Sequence, residues 1–377
     1  MKPPERSYLD EISPPRHGGR VDEVAEELGI DPEELIDFSA NMNPLAPPDS
    51  LEELVESAVA ELQLYPDDRY ASFRESVVDF LGERGEAEIK TDLVIPGNGS
   101  VEIFRLFLQL TAYAGAEKVL VPYPTFSEYA LQARLLGLDV DRVALNEVLD
   151  YGRQELEKYD VVFLCNPNNP TGKLRPKDQV SRFVNRCRVA ETYVLLDEAF
   201  IELSRPEASL VDRVEDLDNL VVARSLTKEF TIPGLRIGYG VFPPEMAGRA
   251  EKLRPPWNLN YFAAYVGGRF LAEESGLISE SREYLAEERE WLSGELEELG
   301  FSLYRSDVNY LLFRTESVGY EASELVERCL GDGILLRNAD SFYGLNRWHV
   351  RVAIRKREEN RKLLRALRRA IAFQDGR

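Results

Sequence analysis

The sequence predicts an α/β fold: a large domain built on a mostly parallel seven-stranded sheet, joined to a smaller α+β domain. Three observations lead there. Seven short apolar, β-branched runs between residues 93 and 242 alternate with helical periods, the pattern of a parallel sheet with helices on both faces. The alternation stops at Pro255-Pro256-Trp257, a break suited to a hinge. Beyond it, long helical stretches and four short strand candidates make a second, mixed unit.

In chain order, residues 1–19 are rich in proline and charge and end in His17-Gly18-Gly19, an extended arm. An amphipathic helix over 21–28 follows, then Asp37-Phe38-Ser39-Ala40-Asn41-Met42-Asn43-Pro44, a turn crowded with amide and hydroxyl side chains. A helix over 51–64 ends at Tyr65-Pro66-Asp67, where proline cannot continue it. The strand candidates of the large domain are 93–95, 118–121, 140–145, 161–164, 193–196, 220–224 and 237–242, with helices near 101–113, 126–136 and 177–189. After the break come helices 261–274, 277–298, 321–330 and 356–373, and strands near 301, 310–314, 334–337 and 350–354. Residues 1–50 are expected to form the arm and part of the small domain, 51–255 the large domain, and 256–377 the rest of the small one. The site is expected between them.

At 377 residues, 44% hydrophobic and 30% charged, the chain can bury a large core. Forty-six basic against 67 acidic residues leave a formal charge of −21, a field that repels nucleic acid and anionic membranes. Neither is an expected partner. No apolar run reaches about 18 residues and Met1 to Arg6 forms no apolar signal region, so a cytoplasmic location is expected. Cys165, Cys187 and Cys329 are odd in number and lack ligand spacing, and only His17 and His349 are histidines. Neither a disulfide framework nor a metal centre is expected.

The chemistry gathers at strand ends. The run 220–224 puts Ser225-Leu226-Thr227-Lys228 just past its carboxyl end, where open α/β sheets bind ligands. A lysine there loses hydration, which lowers its pKa and favours the neutral amine that attacks an aldehyde. Ser225, Thr227 and Arg236, the last from Pro233-Gly234-Leu235-Arg236-Ile237-Gly238, supply donors for one phosphate. Gly97-Asn98-Gly99-Ser100 lies between a strand and a helix, so its backbone N–H groups can face an anion. Phe126, after Pro122-Tyr123-Pro124-Thr125, brings an aromatic ring to the same edge. Asn166-Pro167-Asn168-Asn169-Pro170-Thr171-Gly172 is an irregular loop that carries Asn169 toward the strand ends. Asp197 closes the run 193–196 and could keep a pyridine nitrogen protonated. It precedes Lys228 by 31 residues, enough for one helical crossover to the next strand.

In this order and spacing, these residues resemble the fold-type-I pyridoxal-phosphate enzymes of the aspartate aminotransferase superfamily. The resemblance implies pyridoxal 5'-phosphate as cofactor. Lys228 would hold its aldehyde, Asp197 pair with the ring nitrogen, Asn169 bond the phenolic oxygen and Phe126 stack on the ring. Asn98, Gly99, Ser100, Ser225, Thr227 and Arg236 would hold the phosphate. Tyr65 matches a tyrosine that reaches the phosphate in the neighbouring subunit, which implies a homodimer with shared sites.

Transaminases of this group, including the histidinol-phosphate aminotransferases, usually carry tyrosine three residues after the strand-end aspartate; Phe200 stands here. A lost hydroxyl donor matters more to a proton-shuttling transaminase than to a decarboxylase. His17-Gly18-Gly19, the segment 37–44, Asp197-Glu198-Ala199-Phe200-Ile201 and Arg351-Val352-Ala353-Ile354-Arg355 resemble the threonine-phosphate decarboxylases of cobalamin biosynthesis. Met42 and Ala46 depart from that pattern, which more often has isoleucine and glycine. The resemblance implies decarboxylation of L-threonine O-3-phosphate to (R)-1-amino-2-propanol O-2-phosphate. Arg351 would grip the substrate carboxylate, with Arg337, Asn41, His17, Gly18 and Gly19 around its phosphate. Histidinol-phosphate transamination is the alternative, and serine phosphate differs from threonine phosphate by one methyl.

Overall fold

The computed structural model describes residues 12–15 and 17–372. Most of the expected arm and Phe373, the expected end of the last helix, lie outside the described residues. In chain order the strands are β1 (Ile36–Asp37), β2 (Val94–Gly97), β3 (Lys118–Tyr123), β4 (Asp139–Ala144), β5 (Val161–Cys165), β6 (Tyr193–Asp197) and β7 (Leu220–Ser225). There follow β8 (Gly238–Val241), β9 (Ser302–Leu303), β10 (Tyr310–Arg314), β11 (Ile334–Leu335), β12 (Arg337–Asn338) and β13 (His349–Ala353).

β2 to β8 form one seven-stranded sheet in the order β2-β8-β7-β6-β5-β3-β4. β8 runs antiparallel to both neighbours, and the other pairs are parallel. Each of the seven apolar runs becomes one of these strands, to within two residues at either end. Every position of β5 and β7 is buried, because parallel strands under helices on both faces meet water on neither. β9, β10, β12 and β13 make an antiparallel sheet in the small domain, and β1 pairs in parallel with β11.

Three expectations change. The connection from β6 to β7 is not a helix but carries the short turns Pro206–Ala208 and Val211–Arg213. The buried Glu198 carboxylate holds it there, accepting from Ser209 Oγ at 2.6 Å and from Leu210 N–H at 3.0 Å. The expected strand 334–337 is two: β11 pairs with β1, and after Leu336 the chain changes sheets, so that Arg337 lies opposite Arg351. The helix expected over 51–64 runs only Leu51–Val59, and a further helix, Ala71–Glu83, buries Phe73, Val77, Phe80 and Leu81.

Two large apolar cores result. The first surrounds the seven-stranded sheet and draws on residues from Leu54 to Ile278, so the helix Tyr261–Glu273 packs there through Ala263, Val266 and Phe270. The second takes Phe38, Leu203 and residues from Leu285 to Ala370. Residues 37–43 join the two. Phe38 O accepts from Ala353 N–H at 2.8 Å, while Asn43 N–H donates to Lys228 O at 3.0 Å and Asn43 Nδ2 to Glu229 O at 2.6 Å. Among the described residues no helix is long and apolar enough to cross a membrane.

Candidate active site

A cavity of about 470 Å³ lies between the two cores at the carboxyl ends of β5, β6 and β7. One wall is a phosphate-shaped cradle. The helix Ser100–Tyr113 begins at Gly99 without a side-chain cap, which leaves its first N–H groups for an anion. Arg236 lies against this end: a Cβ on Gly99 would stand 2.5 Å from Arg236 Nη2, and Gly99 has φ +79°. Glycine is therefore favoured at 99 by the backbone conformation, and a side chain there would push the Arg236 guanidinium aside. Arg236 itself is left-handed at φ 58° and donates through Nη1 to Pro233 O at 3.0 Å. Ser225 Oγ and Thr227 Oγ1 lie 2.7 Å apart on the same wall. Uncapped N–H groups, two hydroxyls and a guanidinium are the donor set a phosphate needs. Asn98 lines an adjoining hollow, its N–H bonded to Glu102 Oε2 at 2.5 Å.

Asp197 ends β6 and is 4% exposed. Its Oδ2 accepts from Tyr129 O–H at 2.5 Å and its Oδ1 from Ala199 N–H at 3.0 Å. Burial pushes its pKa up to about 6, against the pull of those two bonds. Among the described residues no cation pairs with Asp197; a buried carboxylate left so is costly, and a protonated ring nitrogen would be a fitting partner. Lys228 is half-buried in the same cavity. Burial, then the nearby Arg351 and Arg236, depress its pKa to about 8. The half-buried Phe126 also lines the cavity, its ring edge-on to Tyr129 at 5.7 Å. These residues fit pyridoxal 5'-phosphate at its phosphate, its ring nitrogen and its aldehyde.

The opposite wall is cationic. Arg351 is buried; it donates through Nη1 to Asn169 Oδ1 at 2.6 Å and through Nη2 to Ser39 O at 2.9 Å. Among the described residues its Nε has no partner and no carboxylate pairs with it. Burial, with Arg337 close by, lowers its pKa to about 10. Arg337 lines the cavity from the neighbouring strand and donates to Ser341 Oγ at 2.8 Å. Asn41 is 3% exposed, and its Oδ1 also lacks a partner.

The described part of the arm closes this end. His17 Nε2 lies 2.8 Å from Glu128 Oε1, whose other oxygen accepts from Gln132 Nε2 at 2.9 Å. Burial raises the Glu128 pKa, but the bonds from His17 and Gln132 prevail and hold it below the usual range. A Cβ on Gly18 would stand 2.4 Å from Ser39 O, and Gly19 N–H donates to Ser39 Oγ at 2.9 Å. The paired glycines let the arm lie directly on residue 39.

The cavity thus brings together most of the expected residues. Tyr65 stands apart: it is 84% exposed, outside the cavity, with its ring 4.9 Å from that of Trp257. Phe200 lines the cavity edge-on to Tyr310 at 5.1 Å, so no hydroxyl is offered from position 200. Sequence reasoning missed Tyr129, Glu128 and Ser39. Tyr129 follows Phe126 by three residues, a spacing that puts both on one face of a helical turn, and that was the available signal.

Fold and site together define a fold-type-I enzyme whose cofactor is pyridoxal 5'-phosphate. Residues 33–367 match the family model for aminotransferase class I and II, and the chain belongs to that family. The threonine-phosphate decarboxylase of Salmonella typhimurium is 32% identical, over 94% of this chain and 96% of its own. The histidinol-phosphate aminotransferase from Clostridium acetobutylicum is 30% identical, with a TM-score of 0.81 over 90% of this chain and 100% of its own. The histidinol-phosphate aminotransferase from Sinorhizobium meliloti, solved in complex with pyridoxal-5'-phosphate, shares the fold at a TM-score of 0.85 and 19% identity, over 99% of each chain.

Proposed function

We propose that this enzyme decarboxylates L-threonine O-3-phosphate to (R)-1-amino-2-propanol O-2-phosphate. The observation that carries the reading is the pair of guanidinium groups on facing strands: Arg351, buried without a carboxylate, and Arg337 opposite it in register. A substrate with both a carboxylate and a phosphate supplies two anions to such a pair. Phe200 supports the same reading, since a decarboxylase depends less on the missing hydroxyl.

In this reading Asn98, Gly99, Ser100, Ser225, Thr227 and Arg236 hold the cofactor's phosphate. Asp197 would pair with its ring nitrogen, Phe126 would pack against the ring and Lys228 would hold it through Nζ. With its Oδ1 taken by Arg351, Asn169 has its amide NH₂ to offer. When bound, pyridoxal 5'-phosphate supplies an electron sink for the bond that breaks at the substrate's α-carbon. Arg351 grips the carboxylate and fixes its direction. Arg337, Asn41 and the arm of His17, Gly18 and Gly19 gather round the substrate phosphate. Nζ of Lys228, with a pKa of about 8 as the free amine, can, once released from the cofactor, hold a proton and donate it to the carbon that has lost carbon dioxide.

The functional unit in this reading is a cytoplasmic homodimer. Leu62, Leu64, Tyr65 and Trp257 expose apolar surface in one region, which a second copy would cover, bringing Tyr65 to the partner's phosphate cradle. The second reading, histidinol-phosphate transamination, is favoured by the 30% identity to the Clostridium acetobutylicum enzyme.

Turnover of L-threonine O-3-phosphate in deuterium oxide tests the proposal. The expected product has lost its carboxylate and carries a single deuterium on the former α-carbon. Substrate recovered with its carboxylate intact and its α-hydrogen exchanged contradicts it.

A further inference from the structure

A second cavity, about 660 Å³, opens between the domains beyond the loop 168–172: Asn169 lines the catalytic cavity, while Thr171 lines this one. Lys173, Arg175 and Arg205 enter it from the large domain and Arg305 from the small one, with Asp307 the single carboxylate among the lining residues. In a chain of formal charge −21, four cations around one cavity need a physical reason.

Asp307 does not supply it. Its Oδ1 accepts from Arg205 Nη2 at 2.9 Å and its Oδ2 from Leu174 N–H at 3.0 Å, so both oxygens are committed. Arg175 is 9% exposed, and its guanidinium donates to the neutral Asn146 Oδ1 at 2.8 Å. Among the described residues no carboxylate pairs with Arg175, Lys173 or Arg305. Burying a guanidinium without a directly paired carboxylate and gathering like charges beside it both oppose folding. Burial depresses the Arg175 pKa, and the nearby Asp150 charge opposes this only in part.

We propose that this inter-domain cavity is a binding site for a small phosphate-bearing anion, distinct from the catalytic cavity. With Arg205 paired to Asp307, the forks of Arg175 and Arg305 and the Lys173 ammonium suit the several oxygens of a phosphate group, which accept paired N–H bonds. Asn146 and Thr171 add neutral polar contacts. A bound anion would bridge Lys173 and Arg175 to Arg305, and so connect the two domains.

The test is calorimetric titration of the cofactor-loaded enzyme with inorganic pyrophosphate at low ionic strength, where screening is weak. It is done in the Arg337→Ala background, which removes one cation from the catalytic cavity, while the bound cofactor fills the phosphate cradle. Saturable binding is expected. It should weaken about tenfold or more on adding Lys173→Ala and Arg305→Ala, the loss of roughly 1.4 kcal/mol or more. Both residues are exposed, so the fold should tolerate the change, and an unaltered melting temperature checks this. The absence of saturable binding in Arg337→Ala, or binding unchanged by the two further substitutions, would overturn the proposal. Citrate binding as tightly as pyrophosphate would overturn its phosphate specificity.

Discussion

Arg351 on β13 donates to Asn169 at 2.6 Å, a hydrogen bond that crosses from the small domain to the loop after β5. One guanidinium therefore sets the position of the Asn169 amide, and among the described residues its buried Nε has no partner; in the proposed reading that amide faces the cofactor and the guanidinium grips the substrate carboxylate. Arg351→Ala should lower kcat/KM by about a hundredfold or more, roughly 3 kcal/mol for a buried charged contact. Arg351→Lys should not restore it, because an ammonium cannot span Asn169 and Ser39 together. Steady-state kinetics of both variants check this, and a lysine variant within threefold of wild type would contradict it.

Asp197 carries a pH signature. Its pKa stands at about 6 against an ordinary 3.8, so the folded state binds the proton more tightly than the unfolded chain does. The associated stability is complete below about pH 4 and is lost as pH rises through about 6, at most roughly 3 kcal/mol. The cofactor-free Asp197→Asn variant should escape that loss. Its melting temperature should match wild type near pH 4 and exceed it at pH 7; parallel curves across this range would contradict the assignment.

Phe200→Tyr places a hydroxyl at the edge of the cavity, beside Tyr310. A donor to the cofactor's phenolic oxygen favours the ionised form. The pH midpoint of the holoenzyme's visible absorbance should fall, by about one unit or less. An unchanged midpoint would mean that position 200 does not face that oxygen.

Tyr65 gives the test of shared sites. Mixed and refolded together, inactive Tyr65→Ala and Lys228→Ala subunits should form hybrids with one intact site each. Recovery should approach about a quarter of wild-type activity if subunits pair at random across a two-fold interface. No recovery would place Tyr65 outside the site.

Much of this was legible in the sequence because parallel strands under two helical layers are uninterrupted apolar runs. Their carboxyl ends could be read directly, which located Asp197, Ser225 and Lys228. That Arg337 and Arg351 end or occupy neighbouring strands was also accessible, but their register was not. The spacing of Tyr129 from Phe126 was visible, but its bond to Asp197 was not: that depends on how the helix Glu128–Leu135 docks against β6, which periodicity does not encode. The turns between β6 and β7 were hidden for a similar reason, as the segment is held by Glu198, a residue far from it in contact pattern until the chain folds. The split of β11 from β12 depends on β1, a partner some 300 residues away in sequence.

The most direct test of the central claim is one incubation of the holoenzyme with L-threonine O-3-phosphate, histidinol phosphate and 2-oxoglutarate together, following carbon dioxide and glutamate in the same sample. The two-arginine reading of the cavity predicts carbon dioxide without glutamate. Glutamate without carbon dioxide would make the enzyme a transaminase, and the weight given to Phe200 and to the His17 arm would be wrong.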